Sequence, residues 1–84
     1  MGYVYLISAR GTGKLKIGFS LKAPENRLRN LQTSNPHELQ LLCFLRGSRM
    51  DERRYHAQFD HLRVRGEWFQ DNSEIREYFA EMCQ

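Results

Sequence analysis

Tyr3-Val4-Tyr5-Leu6-Ile7-Ser8, then Gly11-Thr12-Gly13, then Leu15-Lys16-Ile17-Gly18-Phe19: the chain opens with two apolar segments around a glycine-rich turn. β-Branched and aromatic residues fill both flanks and glycines punctuate between them, so two short strands close into a hairpin. The glycines do not form a phosphate loop. That loop needs four residues between its first glycine and Gly-Lys, then Ser or Thr after the lysine. Here one residue separates Gly11 from Gly13-Lys14, and Leu15 follows.

Beyond the hairpin, Pro24 suits the first turn of a helix, with Leu28 and Leu31 on its inner face. That helix must end before Pro36, because the residue ahead of a proline avoids helical geometry. Leu39 to Leu45 is an apolar run of strand length, read as a central strand covered on both faces. A second helix is predicted from about Met50 to Leu62, with Tyr55, Phe59 and Leu62 as its core stripe, and Gly66 breaks it. Trp68-Phe69 returns to the core. Asp71-Asn72-Ser73 then caps a last helix whose Ile75, Tyr78, Phe79 and Met82 follow the spacing of a buried face. The predicted order is β-β-α-β-α-α: an α+β domain over residues 1–84, with a small three-stranded antiparallel sheet flanked by helices.

Composition narrows the class. With 84 residues, 40% of them hydrophobic and 12% aromatic, the chain fits one folded domain and not a disordered tract. No apolar run approaches the ~18 residues of a membrane span, so a cytoplasmic protein without membrane contact is expected. Cys43 and Cys83 share no CxxC spacing and are expected to remain thiols. The net charge of +3 is unevenly spread. Arg10, Lys14, Lys16, Lys22, Arg27 and Arg29 face only Glu25 in the first basic stretch. Arg46, Arg49, Arg53, Arg54, Arg63 and Arg65 form a second, and the tail from Gly66 onward is acidic. One positive face is what a polyanion wants, although such charges can equally be a solvated surface.

His37, His56 and His61 lack partners at zinc spacing, and no Ser or Cys sits in a nucleophile elbow. The second helix is more informative. At about 100° per residue, Glu52, His56 and Phe59 share a narrow sector at the rim of the core stripe. A carboxylate and an imidazole one turn apart can serve as metal ligand and proton-transfer group. They can equally be a rim ion pair, Glu52 with Arg53 or another basic neighbour, beside a locally bonded histidine. Arg27, also at a buried edge, can fork onto phosphate oxygens or simply lie in solvent. Tyr5 and Lys16, on the two hairpin strands, read alone as a packing tyrosine and an exposed lysine.

Taken together, these residues resemble a known pattern. Tyr3-Val4-Tyr5 followed by Lys16-Ile17-Gly18 resembles the paired signatures of GIY-YIG nucleases, and Arg27 and Glu52 follow at the family's usual distances. The nearer resemblance is to the branch named for a phage T5 open reading frame. It is carried by Lys16-Ile17-Gly18-Phe19-Ser20, by Pro24-Glu25-Asn26-Arg27-Leu28-Arg29-Asn30-Leu31-Gln32-Thr33, by Glu52 with His56 and Phe59, and by Gly66-Glu67-Trp68-Phe69.

The resemblance implies a phage-type endonuclease, a hydrolase of DNA phosphodiesters, with RNA as the other substrate class. Tyr5 would orient or deprotonate the attacking water, and Arg27 would stabilise charge on the phosphate. Glu52 would hold one Mg²⁺ or Mn²⁺ ion, with His56 as a neighbouring proton-transfer group. Ser20, Lys22 and Arg29 would contact the nucleic-acid backbone. Glu67 would assist the site electrostatically or pair with Arg63 or Arg65. The pattern departs from the superfamily at Lys16, where tyrosine is usual. A charged lysine cannot accept a proton, but it can orient hydroxide or neutralise phosphate. The alternative is therefore a catalytically inactive nucleic-acid-binding or protein-interaction module of the same fold. No helix-turn-helix or zinc finger is present in the sequence, so target specificity is expected from a partner protein or a homodimer.

Overall fold

The computed structural model describes residues 2–83. Strands β1 (Gly2–Ala9) and β2 (Lys14–Ser20) form the expected hairpin, in a register that places Tyr5 opposite Gly18 and Ile7 opposite Lys16. Helix α1 (Pro24–Thr33) starts on Pro24, whose missing N–H costs nothing in a first turn. Strand β3 (Leu39–Gly47) leads into helix α2 (Arg49–Gln58). Ser48 and Asp51 bond reciprocally at the start of α2, satisfying two backbone donors the helix would otherwise leave open. A 3₁₀ turn, Asp60–Leu62, precedes the short strands β4 (Arg63–Arg65) and β5 (Trp68–Gln70), and helix α3 (Ser73–Met82) follows.

The fold is α+β, but its antiparallel sheet has five strands, in the order β3-β1-β2-β5-β4, and not the predicted three. The two additional strands come from Arg63 to Gln70. Gly66 turns between them at φ 56°, a left-handed conformation that favours glycine. Phe69 stands opposite both Arg63 on β4 and Leu15 on β2, which adds the small hairpin to the sheet. Strands of three residues, two of them arginines in β4, are too short and too charged to show a strand period. For the same reason α2 was expected to run to Leu62. Its helix ends at Gln58, and Leu62 N–H turns back to Phe59 O in the tighter 3₁₀ pattern.

β3 is likewise not central. It lies at the sheet edge and pairs only with β1. A register shift between Leu6 and Ile7 leaves Leu42 as an extra residue. This bulge sends Leu39 and Leu41 to one face, Cys43 and Leu45 to the other, and makes an edge strand read as an apolar run broken only by Gln40. The strand covered on both faces is β1. Val4 and Leu6 pack with Leu15, Ile17 and Phe69 against Tyr55 of α2, Phe59 just past its end, and Ile75 and Phe79 of α3. Tyr5, Ile7 and Ala9 face the other way, under Leu28 and Leu31 of α1 and beside Trp68. Met82, expected in the core, is 45% exposed at the end of α3. Among the described residues no helix is long and apolar enough to cross a membrane.

Both cysteines are free thiols in this packing. Burial, followed by the neighbouring Cys83, pushes the Cys43 thiol up to about 12. Thiolate is the reactive form, so at pH 8 Cys43 is expected to alkylate at least ~100-fold more slowly in the folded protein than in denaturant. Mass spectrometry of an iodoacetamide time course reads this directly, and equal rates in the two states would refute it.

Candidate active site

β1 supplies Tyr5, which is 1% exposed and lies directly across from Gly18. A β-carbon at position 18 would run into the Tyr5 hydroxyl and ring, so the absent side chain makes the bed on which the phenol rests. Burial raises the Tyr5 pKa above its ordinary value. The Arg27 guanidinium opposes that rise, while Glu67 and Glu52 add to it. Arg27 thus stands beside the phenol, yet its buried Nε has no hydrogen-bond partner.

Glu52 reaches the same place from α2. It is 4% exposed, and among the described residues its only ion-pair contact is a long one, Oε1 to Arg49 Nη1 at 3.8 Å. Of the rim pairings expected for Glu52, the contact is thus to another basic neighbour, Arg49, and not to Arg53. Oε2 is buried and has no hydrogen-bond partner. Desolvation first, and then the charge of Glu67, hold the Glu52 pKa above the usual carboxylate range, against the pull of His56, Arg49 and Lys16. An orphaned buried carboxylate oxygen costs the fold on the order of 1–3 kcal/mol or more. Such a group is the exception in native proteins and calls for an explanation such as a catalytic role, an ordered water or an ion.

Lys16 pairs with Glu67, Nζ to Oε1 at 2.9 Å, and its Nζ lies 5.4 Å from the centroid of the Trp68 ring. Glu67 was expected to pair with Arg63 or Arg65 if with any base, but Lys16 holds it instead. Arg63 is engaged by Asp60. The Lys16 side chain is only 13% exposed. The His56 imidazole contacts Ile17, whose carbonyl accepts from Nε2 at 2.8 Å. Because a carbonyl only accepts, Nε2 is the donating nitrogen of that bond. The Ile17 N–H donates to the Glu67 carbonyl at 3.0 Å. His56 therefore occupies the edge of β2 just beyond its last pairing with β5, at Lys16–Trp68.

A cleft of about 320 Å³ opens beside these groups, lined by Phe19, Ser20, Leu21, Lys22, Arg27, Asn30 and Arg49. Of the residues expected to touch nucleic-acid backbone, Ser20 and Lys22 lie on it. Ser20 is buried, and its Oγ accepts the Lys22 N–H at 3.0 Å. Arg29 is exposed on α1 and does not line the cleft. The sequence reading missed Arg49, Asn30 and the Lys16–Glu67 pair. Arg49 carried a usable signal, since it lies one helical turn before Glu52. Glu67 carried none until the β4–β5 hairpin was known.

Among the described residues no group of three or more His, Cys, Asp or Glu side chains gathers as a metal cage. A single carboxylate oxygen with an open valence is a different kind of site. It suits an oxygen-loving divalent ion that takes one protein ligand and keeps its waters. Glu52 fits that requirement.

The hairpin thus presents Tyr5 and Lys16, one helix presents Arg27, and a second helix brings a buried glutamate to the same place. The chain belongs to the T5orf172 domain family, whose sequence model matches residues 2–83, a family of nuclease-like or DNA-binding modules. No curated protein and no solved structure matches it significantly.

Proposed function

We propose that this chain is a metal-dependent endonuclease that hydrolyses DNA phosphodiester bonds at the Tyr5–Arg27–Glu52 cluster. The observation that carries this reading is the buried Glu52 Oε2, which has no partner and lies in the field of Tyr5, Lys16 and Arg49. Glu52 would hold one Mg²⁺ or Mn²⁺ ion, which when bound supplies positive charge to the phosphate and to the leaving oxygen. Arg27, which lines the cleft, brings a planar fork to the non-bridging phosphate oxygens, where negative charge grows in the transition state.

Tyr5 has its pKa raised, so at neutral pH it is a neutral phenol. That favours orienting the attacking water through the phenol's lone pair over outright proton abstraction. Lys16, held by Glu67, contributes a fixed charge where tyrosine is usual in the superfamily. His56 keeps the β2 edge and the α2 ligand in register through its bond to Ile17. Ser20 and Lys22 meet the strand on either side of the scissile phosphate, with Arg29 reaching backbone further out. Target choice, and any double-strand cut, would come from a partner protein or a homodimer.

One observation favours the inactive alternative: Lys16 is committed to Glu67 and is no longer a free cation. Supercoiled plasmid separates the two readings. With Mg²⁺ or Mn²⁺ the protein is expected to convert it to the nicked form, and a chelator should stop the reaction. Salt-sensitive DNA binding with no nicking in either metal would establish the alternative.

A further inference from the structure

A second hollow, of about 280 Å³, lies next to this cluster and has no part in the chemistry above. Three segments converge on it: the β1–β2 turn, the α1–β3 loop carrying His37, and the β4–β5 hairpin. Ala9 and Val64 give it an apolar lining, Trp68 adds a half-buried aromatic surface, and Lys14 and Arg65 stand at it as exposed cations. Neither cation has an acidic partner among the described residues. The register places Lys16 and Arg65 each opposite Trp68, and Ala9 opposite Lys14, so all of these occupy one face of the sheet, the face that also carries Tyr5. Lys14 and Lys16, two residues apart on one strand, project about 7 Å apart, the scale of one nucleotide step along an extended strand. Trp68 links the two places, because its ring meets the Lys16 ammonium and also lines the hollow.

An apolar recess with an aromatic surface, bordered by unpaired cations one step from a phosphate site, has the chemistry of a base-stacking platform. A paired base inside a duplex cannot enter it, because both of its faces are already stacked. We infer that the Trp68 hollow binds an unpaired nucleobase of the substrate strand, next to the scissile phosphate, with Lys14 and Arg65 on the flanking phosphates. The substrate is then single-stranded, frayed or looped nucleic acid. This inference rests on the proposed nuclease reading for its substrate, but its test does not require cleavage.

Trp68 is the only tryptophan in the chain, so its emission reports on the hollow and on the Lys16 ammonium beside it. Wild-type protein, kept in chelator so that nothing is cut, is titrated with oligothymidylate, an abasic oligomer of equal length, and a blunt duplex of equal length. Oligothymidylate is expected to quench the emission and to bind about 10-fold more tightly than the abasic oligomer or the duplex, as one stacked base is worth ~1–3 kcal/mol. By anisotropy of a labelled oligomer, Trp68→Leu should lose that preference and Trp68→Phe should keep most of it. Lys14→Ala with Arg65→Ala, both at exposed positions, should weaken all three ligands and flatten the salt dependence. Oligouridylate in place of oligothymidylate tells an RNA strand from a DNA strand within the same proposal. Equal affinity for base-bearing and abasic oligomers, or unchanged Trp68 emission, would overturn the inference. Plasmid nicking with no base preference removes the hollow and leaves the nuclease; base preference with no nicking does the reverse.

Discussion

Glu52→Gln is expected to lower metal-dependent nicking by at least ~100-fold while leaving the protein folded, with a melting temperature at or above that of wild type. The two halves of this result have one cause. The wild-type carboxylate is buried, has one oxygen without a partner and has its pKa raised by desolvation, so the folded chain pays to keep it charged. For an acid whose folded pKa lies above its unfolded one, that cost is present at pH values above the folded pKa and disappears as pH falls below the unfolded one. At neutral pH the cost is therefore in force. The amide has nearly the same shape and no charge, so it removes the penalty together with the ligand. A residue retained for packing would show the opposite pattern, with lower stability and activity lost only in proportion. Nicking assays and thermal melts on the same preparation separate these cases. Retained cleavage would end the proposal that Glu52 holds the ion, and a large fall in melting temperature would end the account of why the site is poised.

How far the site was legible in the sequence follows from what each residue needed. Tyr5 and Lys16 could be placed because the hairpin around Gly11-Thr12-Gly13 fixes their strands, and alternation puts them on opposite sides of a known turn. Arg27 and Glu52 could be placed because Pro24 starts one helix and the Tyr55–Phe59 stripe orients the other. The β4–β5 hairpin could not be read, because three residues of strand give no period to detect. For Glu67 the sequence therefore leaves assistance to the site, or pairing with Arg63 or Arg65, as alternatives, when a sheet pairing that it does not announce carries the carboxylate to Lys16. β3 was misread for a related reason. An apolar run cannot distinguish a strand covered on both faces from one whose bulge turns successive residues to different faces. Trp68 was read as a core plug, and its pairing partners on both sides show it to be a half-buried surface next to the site.

Gly18→Ala, a change of one methyl group, is expected to cost ~1–3 kcal/mol of stability and to lower cleavage by about 100-fold. The backbone at this position is not in the left-handed region, so the obstacle is contact and not conformation. A β-carbon there would overlap the Tyr5 hydroxyl and Cζ, and would lie 2.7 Å from Tyr5 Cε1. Neither partner can yield easily. Tyr5 is sealed between β2 and α1. Gly18 follows Ile17, whose N–H and carbonyl are tied to Glu67 and His56. The ring must therefore leave its bed, and with it goes the phenol oxygen that orients the water beside Arg27. The coupling can be tested directly, because Tyr5→Ala should cost less stability in the Gly18→Ala background than in wild type. Additive losses would mean that the glycine serves the strand alone. A Gly18→Ala protein with wild-type melting and wild-type nicking would show that the phenol does not need the space the sequence leaves for it.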